Sequence, residues 1–392
     1  IFIIDERIRN ADEEIESLMK QNEILCIGIS VMTGQQISSA IRISKKFHGK
    51  VPIVWGGVHP TICPESVLNE SYVDYIIRGD GEKAFYDFLG FLELKKNGNI
   101  SKEFSWDNYK VYYFENLNDS VINFVDEPIA EQYFIKRDGF EKAFPLETSR
   151  GCPHNCAFCH NSATGHTYRM VETKLVVRNI CQLYENYSID GIVFQEDNFF
   201  LNLDRVKHIL SKLRDCNIGW KANSRLSYFK KLVTDKEMMK LIIDSHCHVL
   251  QFGIESGSER ILKLINKKII LEDVVKINKC LAEYDIAVRY NFIVGFPTES
   301  KEEIEETLSL IKKLAADNLN MEVPFVNIYT PYPGTPIYKL AQKEGFLPPA
   351  DLEGWAQMTW NYPNHTLHKD EKLRSFLSDI SNDYLMRSTY PR

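Results

Sequence analysis

The chain has 392 residues, 44% of them hydrophobic and 26% charged, with a net charge of −7. That length holds two or three domains of ordinary size, and the acidic balance offers no electrostatic footprint for nucleic acid. No apolar run approaches the roughly 18 residues of a membrane span, and no signal peptide is visible.

From Ile1 the chain alternates strand and helix signals. "IFIID" is a short apolar run, and "NADEEIESLMKQ" has helical spacing with Asn10 placed to cap it. "ILCIGISV" reads as a buried strand, "GQQISSAIRISKKF" as a helix, and "VPIVWGG" and "VDYIIRGDG" as two further strands. Continuous apolar strands separated by helices predict a parallel sheet covered on both faces. Residues 1–94 are therefore expected to form an α/β, doubly wound, Rossmann-like domain. "IFIID", ending in Asp5, suits a second strand better than a first, so a first strand and helix are expected to be missing. Residues 95–143 are polar, aromatic and weakly periodic, and read as a linker with short strands.

From Phe144 the alternation resumes with a longer beat. Strand candidates are "AFPLET", "GIVFQ", "IGWKAN", "VLQFGI", "VRYNFIVG" and "EVPFVNIY", with helical stretches at 171–187, 203–214, 235–245, 258–283 (two helices) and 301–315. Six strand–helix steps over residues 144–337 predict a partial (β/α)6 barrel of TIM type, with chemistry at the carboxyl ends of its strands. The remainder, 338–392, reads as a helical C-terminal region packed over the barrel mouth or against the first domain. Its Trp355, Trp360 and Tyr362 suit either an apolar substrate pocket or plain core anchors.

Nine cysteines are an odd number in a long chain, and six of them (Cys26, Cys63, Cys181, Cys216, Cys247 and Cys280) are scattered singly. Such singles are usually small buried hydrophobes. This is the usage of a reducing compartment, so a cytoplasmic protein is expected. The other three, Cys152, Cys156 and Cys159, sit in "SRGCPHNCAFCHN", directly after the first barrel strand. Thiolates select zinc or iron–sulfur centres. A structural zinc site needs a fourth ligand, which His154 or His160 could supply, but zinc ligands typically come as separated pairs. A [4Fe–4S] cluster normally takes four cysteines, so three would leave one iron open.

Cys-x3-Cys-x2-Cys with the aromatic Phe158 before the third cysteine resembles the radical S-adenosylmethionine (SAM) superfamily. The resemblance implies a [4Fe–4S] cluster on Cys152, Cys156 and Cys159, whose open iron is chelated by SAM and whose electron cleaves SAM to a 5′-deoxyadenosyl radical. It extends to other strand ends. "LQFGIESGSERIL" resembles the fourth-strand segment, implying that Glu255 and Ser256 meet the ribose and methionyl end of SAM. The same residues also read as a helix start, with Ser256 or Ser258 as cap. Arg225 in "WKANSR" is implied to pair with the SAM carboxylate, or else to be a solvated surface arginine. "FQEDNFF" lacks the Gly-Gly-Glu stretch common in the superfamily, so Glu196 or Asp197 is expected to recognise the SAM ammonium. "IVGFPTES", with Gly295, resembles the fifth-strand adenine cradle, and "YTPYPGTPIY" the sixth-strand rim.

In the first domain, "WGGVHPTICPES" carries Gly56, Gly57 and His59 at a strand's carboxyl end, where open α/β sheets bind ligands. Together with Gly79-Asp80-Gly81-Glu82 it resembles the cobalamin-binding domain of the B12-dependent radical SAM class. Ser30 and Thr33 lie where that class lines the groove for the nucleotide tail. The Asp-x-His-x-x-Gly signature that gives cobalt a histidine is absent, so a turn or tail contact is expected of His59.

The resemblance implies a methyltransferase in which cobalamin carries a methyl group to an unactivated carbon or phosphorus of a small-molecule or peptide substrate. A reducing partner such as flavodoxin or ferredoxin would supply the electron. A B12-associated oxidative cyclase or ring-rearranging enzyme shares the motifs, and a non-catalytic iron–sulfur redox module is the alternative of another class. Methylthiolation of tRNA would need a second cysteine trio and a basic tail, which this chain lacks.

Overall fold

A computed structural model describes every residue except 99–104, 114–116, 121–128, 130, 165–167, 360–366, 368–370 and 389–392. Trp360 and Tyr362 lie outside the described residues. The chain forms two units, one of residues 1–115, 332–334 and 347–362, the other of residues 116–331, 335–346 and 363–392.

In the first unit, helix Ala11–Gln21 starts where the sequence predicts, because the Asn10 side chain accepts hydrogen bonds from the backbone of Asp12 and Glu13. Strands Ile27–Ser30, Ile53–Gly56 and Tyr75–Ile76 pair in parallel, in chain order. Helices Gln36–Phe47 and Gly81–Lys96 alternate with them. "IFIID" forms no strand: Ile1 and Ile3 are 98% and 82% exposed, with no core to receive them. The unit runs past the expected limit at 94. Trp106 packs edge-on against Phe88 at 5.0 Å, and Val111–Tyr112 pairs with Arg78–Gly79. That pairing explains Gly79, whose φ is +87° and where a Cβ would meet the Tyr112 carbonyl oxygen. Residues 347–362 join this unit through helix Leu352–Ala356, with Trp355 tilted over His59 at 5.7 Å.

In the second unit six parallel strands stand side by side in chain order: Ala143–Leu146, Gly191–Phe194, Gly219–Ser224, Cys247–Glu255, Ala287–Val294 and Val326–Ile328. Helices Thr173–Tyr187, Leu203–Asp215, Lys236–Asp244, Leu271–Leu281 and Lys301–Asp317 link successive strands. The predicted helical stretch 258–283 is indeed two helices, Glu259–Leu264 and Leu271–Leu281. Helix Leu226–Leu232 went unpredicted, being too short for a periodic signal, and the predicted strand "EVPFVNIY" divides into Met321–Glu322 and Val326–Ile328. Phe194, Phe199, Phe200, Trp220, Phe229 and Phe252 build a continuous aromatic core, in which the Trp220 indole donates to Ser245 Oγ at 3.0 Å. Helix Lys301–Asp317 opens on a capping box between Ser300 and Glu303.

Near the amino ends of the strands, Asp138 takes Arg289 at 2.7 Å and Lys221 at 2.9 Å. All three are largely buried, and Glu322, 2.6 Å from Arg289 Nε, supplies the second carboxylate that balances the two cations at the base of the barrel. Among the described residues no helix is long and apolar enough to cross a membrane.

Candidate functional site

The cysteine loop begins at Gly151, whose φ is +81°, just beyond the first barrel strand. Distant segments pin it. The Ala157 amide donates to the Ile265 carbonyl at 2.8 Å, while the Ala157 carbonyl accepts from the Ile337 amide at 3.1 Å. Asn266 Nδ2 donates to the Asn155 carbonyl at 2.6 Å. Within the loop, Ser162 Oγ donates to the carbonyls of Cys156 and Cys159. The loop backbone is thereby tied to the end of helix Glu259–Leu264, after the fourth strand, and to Ile337, after the sixth.

Cys156 is buried, and Cys152 and Cys159 are half-buried. Burial pushes the Cys159 thiol up to about 12, and Asp197 and the neighbouring cysteines add to the rise. Cys152 is raised in the same way. The three share one electrostatic neighbourhood, yet among the described residues no three His, Cys, Asp or Glu converge on a single-ion position. Zinc, with bonds of about 2.3 Å, would draw its sulfurs together, whereas a four-iron cube takes each thiolate at a different corner. Three thiolates on one loop are a donor set that suits such a cube. His154 is no fourth ligand through Nε2, which lies 3.0 Å from the Tyr228 hydroxyl.

The strand ends around this loop sort the predicted residues. Glu196 does not face the mouth: it is 2% exposed and hydrogen-bonded to Thr148 Oγ1, with Arg205 3.9 Å away. Burial pushes its carboxyl up to about 7, against the pull of Thr148 and Arg205. Both lie in the loop just past the strand's end at Phe194, where Glu196 is buried and its neighbour Asp197 is exposed. Asp197 Oδ2 accepts from Asn161 Nδ2 of the cysteine loop at 2.9 Å. Of the two carboxylates, then, only Asp197 stands beside the thiols. Arg225 is not a solvated surface arginine: it is 8% exposed, and its Nη1 lies 3.4 Å from Cys156 Sγ.

Glu255 and Ser256 are both buried. Glu255 pairs with Lys267 at 2.7 Å, and Ser256 Oγ lies 3.3 Å from Thr307 Oγ1. Ser258, rather than Ser256, caps the helix that follows. At the fifth strand's end Gly295 has φ +80°, and the amides of Gly295 and Phe296 both donate to Glu299 Oε2. This brings Phe296 within 5.9 Å of Phe158, so the cysteine loop and the predicted adenine cradle meet through two rings. Lys267, Glu299, Asn161 and Arg205 were missed as members of the site. Glu299 alone left a local signal, lying four positions after a turn glycine; the others act across the fold.

In the first unit Ser30, Thr33, Gly56 and Gly57 stand at the carboxyl edge of the parallel sheet. Gly57 has φ +93°, and a Cβ there would lie 2.9 Å from the Val31 backbone. His59 is fully buried, its Nδ1 3.1 Å from Thr33 Oγ1 and its Nε2 3.1 Å from Ser66 Oγ. Burial pushes its pKa down to about 4. Both ring nitrogens have hydroxyl partners, which tie His59 into the turn.

Comparison with known proteins agrees with this geometry. Residues 146–311 match the model of the radical SAM superfamily, and residues 2–89 that of the B12 binding domain. The uncharacterized methyltransferase PH0819 of Pyrococcus horikoshii is 30% identical over 96% of this chain and 80% of its own. The anaerobic magnesium-protoporphyrin IX monomethyl ester cyclase of Cereibacter sphaeroides is 24% identical over 73% of this chain and 48% of its own. Among solved structures, the radical S-adenosylmethionine methyltransferase TsrM of Kitasatospora setae matches with a TM-score of 0.65 and 15% identity, covering 88% of this chain and 70% of that one. The chain belongs to the radical SAM superfamily, in its B12-binding class, and is an enzyme of that class.

Proposed function

We propose that this enzyme methylates an unactivated carbon or phosphorus centre of a small-molecule or peptide substrate. One observation carries the reading: a three-thiol loop without a fourth ligand occurs in the same chain as a B12-binding domain. Relatedness to a protein named a methyltransferase over nearly the whole chain supports it.

Cys152, Cys156 and Cys159 would hold three irons of a [4Fe–4S] cluster and leave the fourth for SAM. Asp197 and Arg225 carry the opposite charges that the ammonium and carboxylate of SAM require. Phe158, Phe296 and the Gly295 turn offer apolar faces and backbone groups for adenine, while Ser30, Thr33, Gly56 and Gly57 line the groove for the cobalamin tail. Glu255 and Ser256 act behind this surface, setting the shape of the fourth-strand turn. When bound, these cofactors supply a hydrogen-abstracting radical and a transferable methyl group. A one-electron donor of flavodoxin or ferredoxin type would reduce the enzyme in the cytoplasm, as the unpaired cysteines suggest.

The test is anaerobic reconstitution with iron, sulfide and hydroxocobalamin, followed by SAM, a low-potential reductant and cell extract as substrate source. Cobalamin-dependent appearance of both 5′-deoxyadenosine and S-adenosylhomocysteine is expected. Deoxyadenosine alone would favour the cyclase reading, which the Cereibacter sphaeroides relative supports. Absence of both would overturn the proposal.

A further inference from the structure

We infer that Arg225 sets the reduction potential of the cluster by donating a hydrogen bond to the Cys156 thiolate. This rests on the cluster assignment above and goes beyond a role in binding SAM. Arg225 follows the third barrel strand, where Asn198 Oδ1 accepts both its backbone amide at 3.3 Å and Ser224 Oγ at 3.2 Å. Asn198 is 2% exposed, so the second strand's end fixes the backbone from which the guanidinium reaches out. Nη1 then lies 3.4 Å from Cys156 Sγ, in a pocket where the cysteine is 7% and the arginine 8% exposed. Among the described residues no carboxylate forms an ion pair with this guanidinium, so its charge is not neutralised elsewhere.

Arginine stays protonated in proteins, so the cation is permanent. Three thiolates on a 2+ core give a net charge of −1, and one electron from an external low-potential reductant makes it −2. A fixed, desolvated cation favours the second state over the first, and hydrogen bonds to sulfur act in the same direction. The remaining N–H groups of the fork stay free to meet a carboxylate at the open iron. Arg225 is in this sense a positioning residue that acts electrostatically, making the cluster easier to reduce before SAM arrives.

The experiment is a redox titration of the full chain, reconstituted with iron and sulfide and read by electron paramagnetic resonance without SAM. Arg225→Gln keeps an N–H donor and loses the charge; Arg225→Lys keeps the charge and loses the fork. At the wild-type midpoint, the reduced-to-oxidised ratio of Arg225→Gln is expected to drop about tenfold, equal to about 59 mV for a one-electron couple. Arg225→Lys should drop by less. A midpoint equal to wild type, in whichever variant holds a full complement of iron and sulfide, would overturn the inference. Weakened SAM binding with that unchanged midpoint would reduce Arg225 to a carboxylate anchor. Failure of the wild-type chain to assemble any cluster would instead sink the functional reading itself.

Discussion

Lys267 and Glu255 form a buried ion pair, Nζ to Oε1 at 2.7 Å, with each side chain 9% exposed. Glu255 ends the fourth barrel strand with φ +75°, a left-handed conformation that costs about 1–3 kcal/mol for a residue with a side chain. The pair also explains Gly253, where a Cβ would collide with Glu255 Oε1. The same ammonium lies 5.8 Å from the Phe158 ring centroid, so one lysine serves both the strand end and the cysteine loop. Replacing Lys267 by Met leaves a buried carboxylate without its partner. A loss of about 3–5 kcal/mol is expected in urea unfolding, and Lys267→Met/Glu255→Gln should recover part of it. An additive double variant would refute the coupling.

Cys156→Ala removes the sulfur that faces Arg225 and, on the proposed cluster assignment, one of its three ligands. Iron content and deoxyadenosine formation are expected to collapse. Stability should change by only about 1 kcal/mol, since the side chain lost is small. Far-UV circular dichroism and iron analysis on the same preparation separate the two effects. Undiminished deoxyadenosine would remove Cys156 from the cluster.

His59 makes a different forecast. A buried neutral imidazole with a pKa near 4, against 6.5 when unfolded, stabilises fully above pH 6.5 and loses that contribution as pH falls towards 4. Unfolding followed by tryptophan emission should show this dependence, because Trp355 lies beside the ring. In His59→Asn it should flatten. The absorption spectrum of bound cobalamin should keep its shape in that variant, since both ring nitrogens already have hydroxyl partners; a spectral change typical of losing an axial nitrogen would make His59 an axial ligand instead.

At the base of the barrel, burial by itself would raise the Asp138 carboxyl. The hydrogen bonds and charges of Arg289 and Lys221 outweigh it and hold the group down at about 2. Its contribution is therefore complete above about pH 3.8 and lost as pH falls towards 2. Asp138→Asn leaves two buried cations facing a neutral amide. About 3 kcal/mol should be lost at neutral pH, with a smaller further decline in acid than the parent. Urea titrations of parent and variant at pH 7 and pH 3 would test this.

Local rules made much of this protein readable in advance. The cysteine spacing, the six strand–helix steps and the caps at Asn10 and Ser258 rest on short-range periodicity and on side chains that bond a backbone two or three residues away. Short elements escaped because a helix of seven residues carries too little periodic signal. "IFIID" misled because an apolar run becomes a strand only where a sheet edge and a core receive it.

What the sequence by itself determined was the inventory: three thiols in one loop, charged residues at strand ends, and glycines where the chain must turn. Only the tertiary structure decided what each group touches. It turned Glu196 inward to Thr148 and Arg205 while leaving Asp197 beside the loop. It buried both nitrogens of His59 and aimed Arg225 at a sulfur 69 residues earlier in the chain. These partners meet through the packing of parallel strands, whose ends gather residues far apart in sequence, and no local pattern encodes which of them will share a pocket.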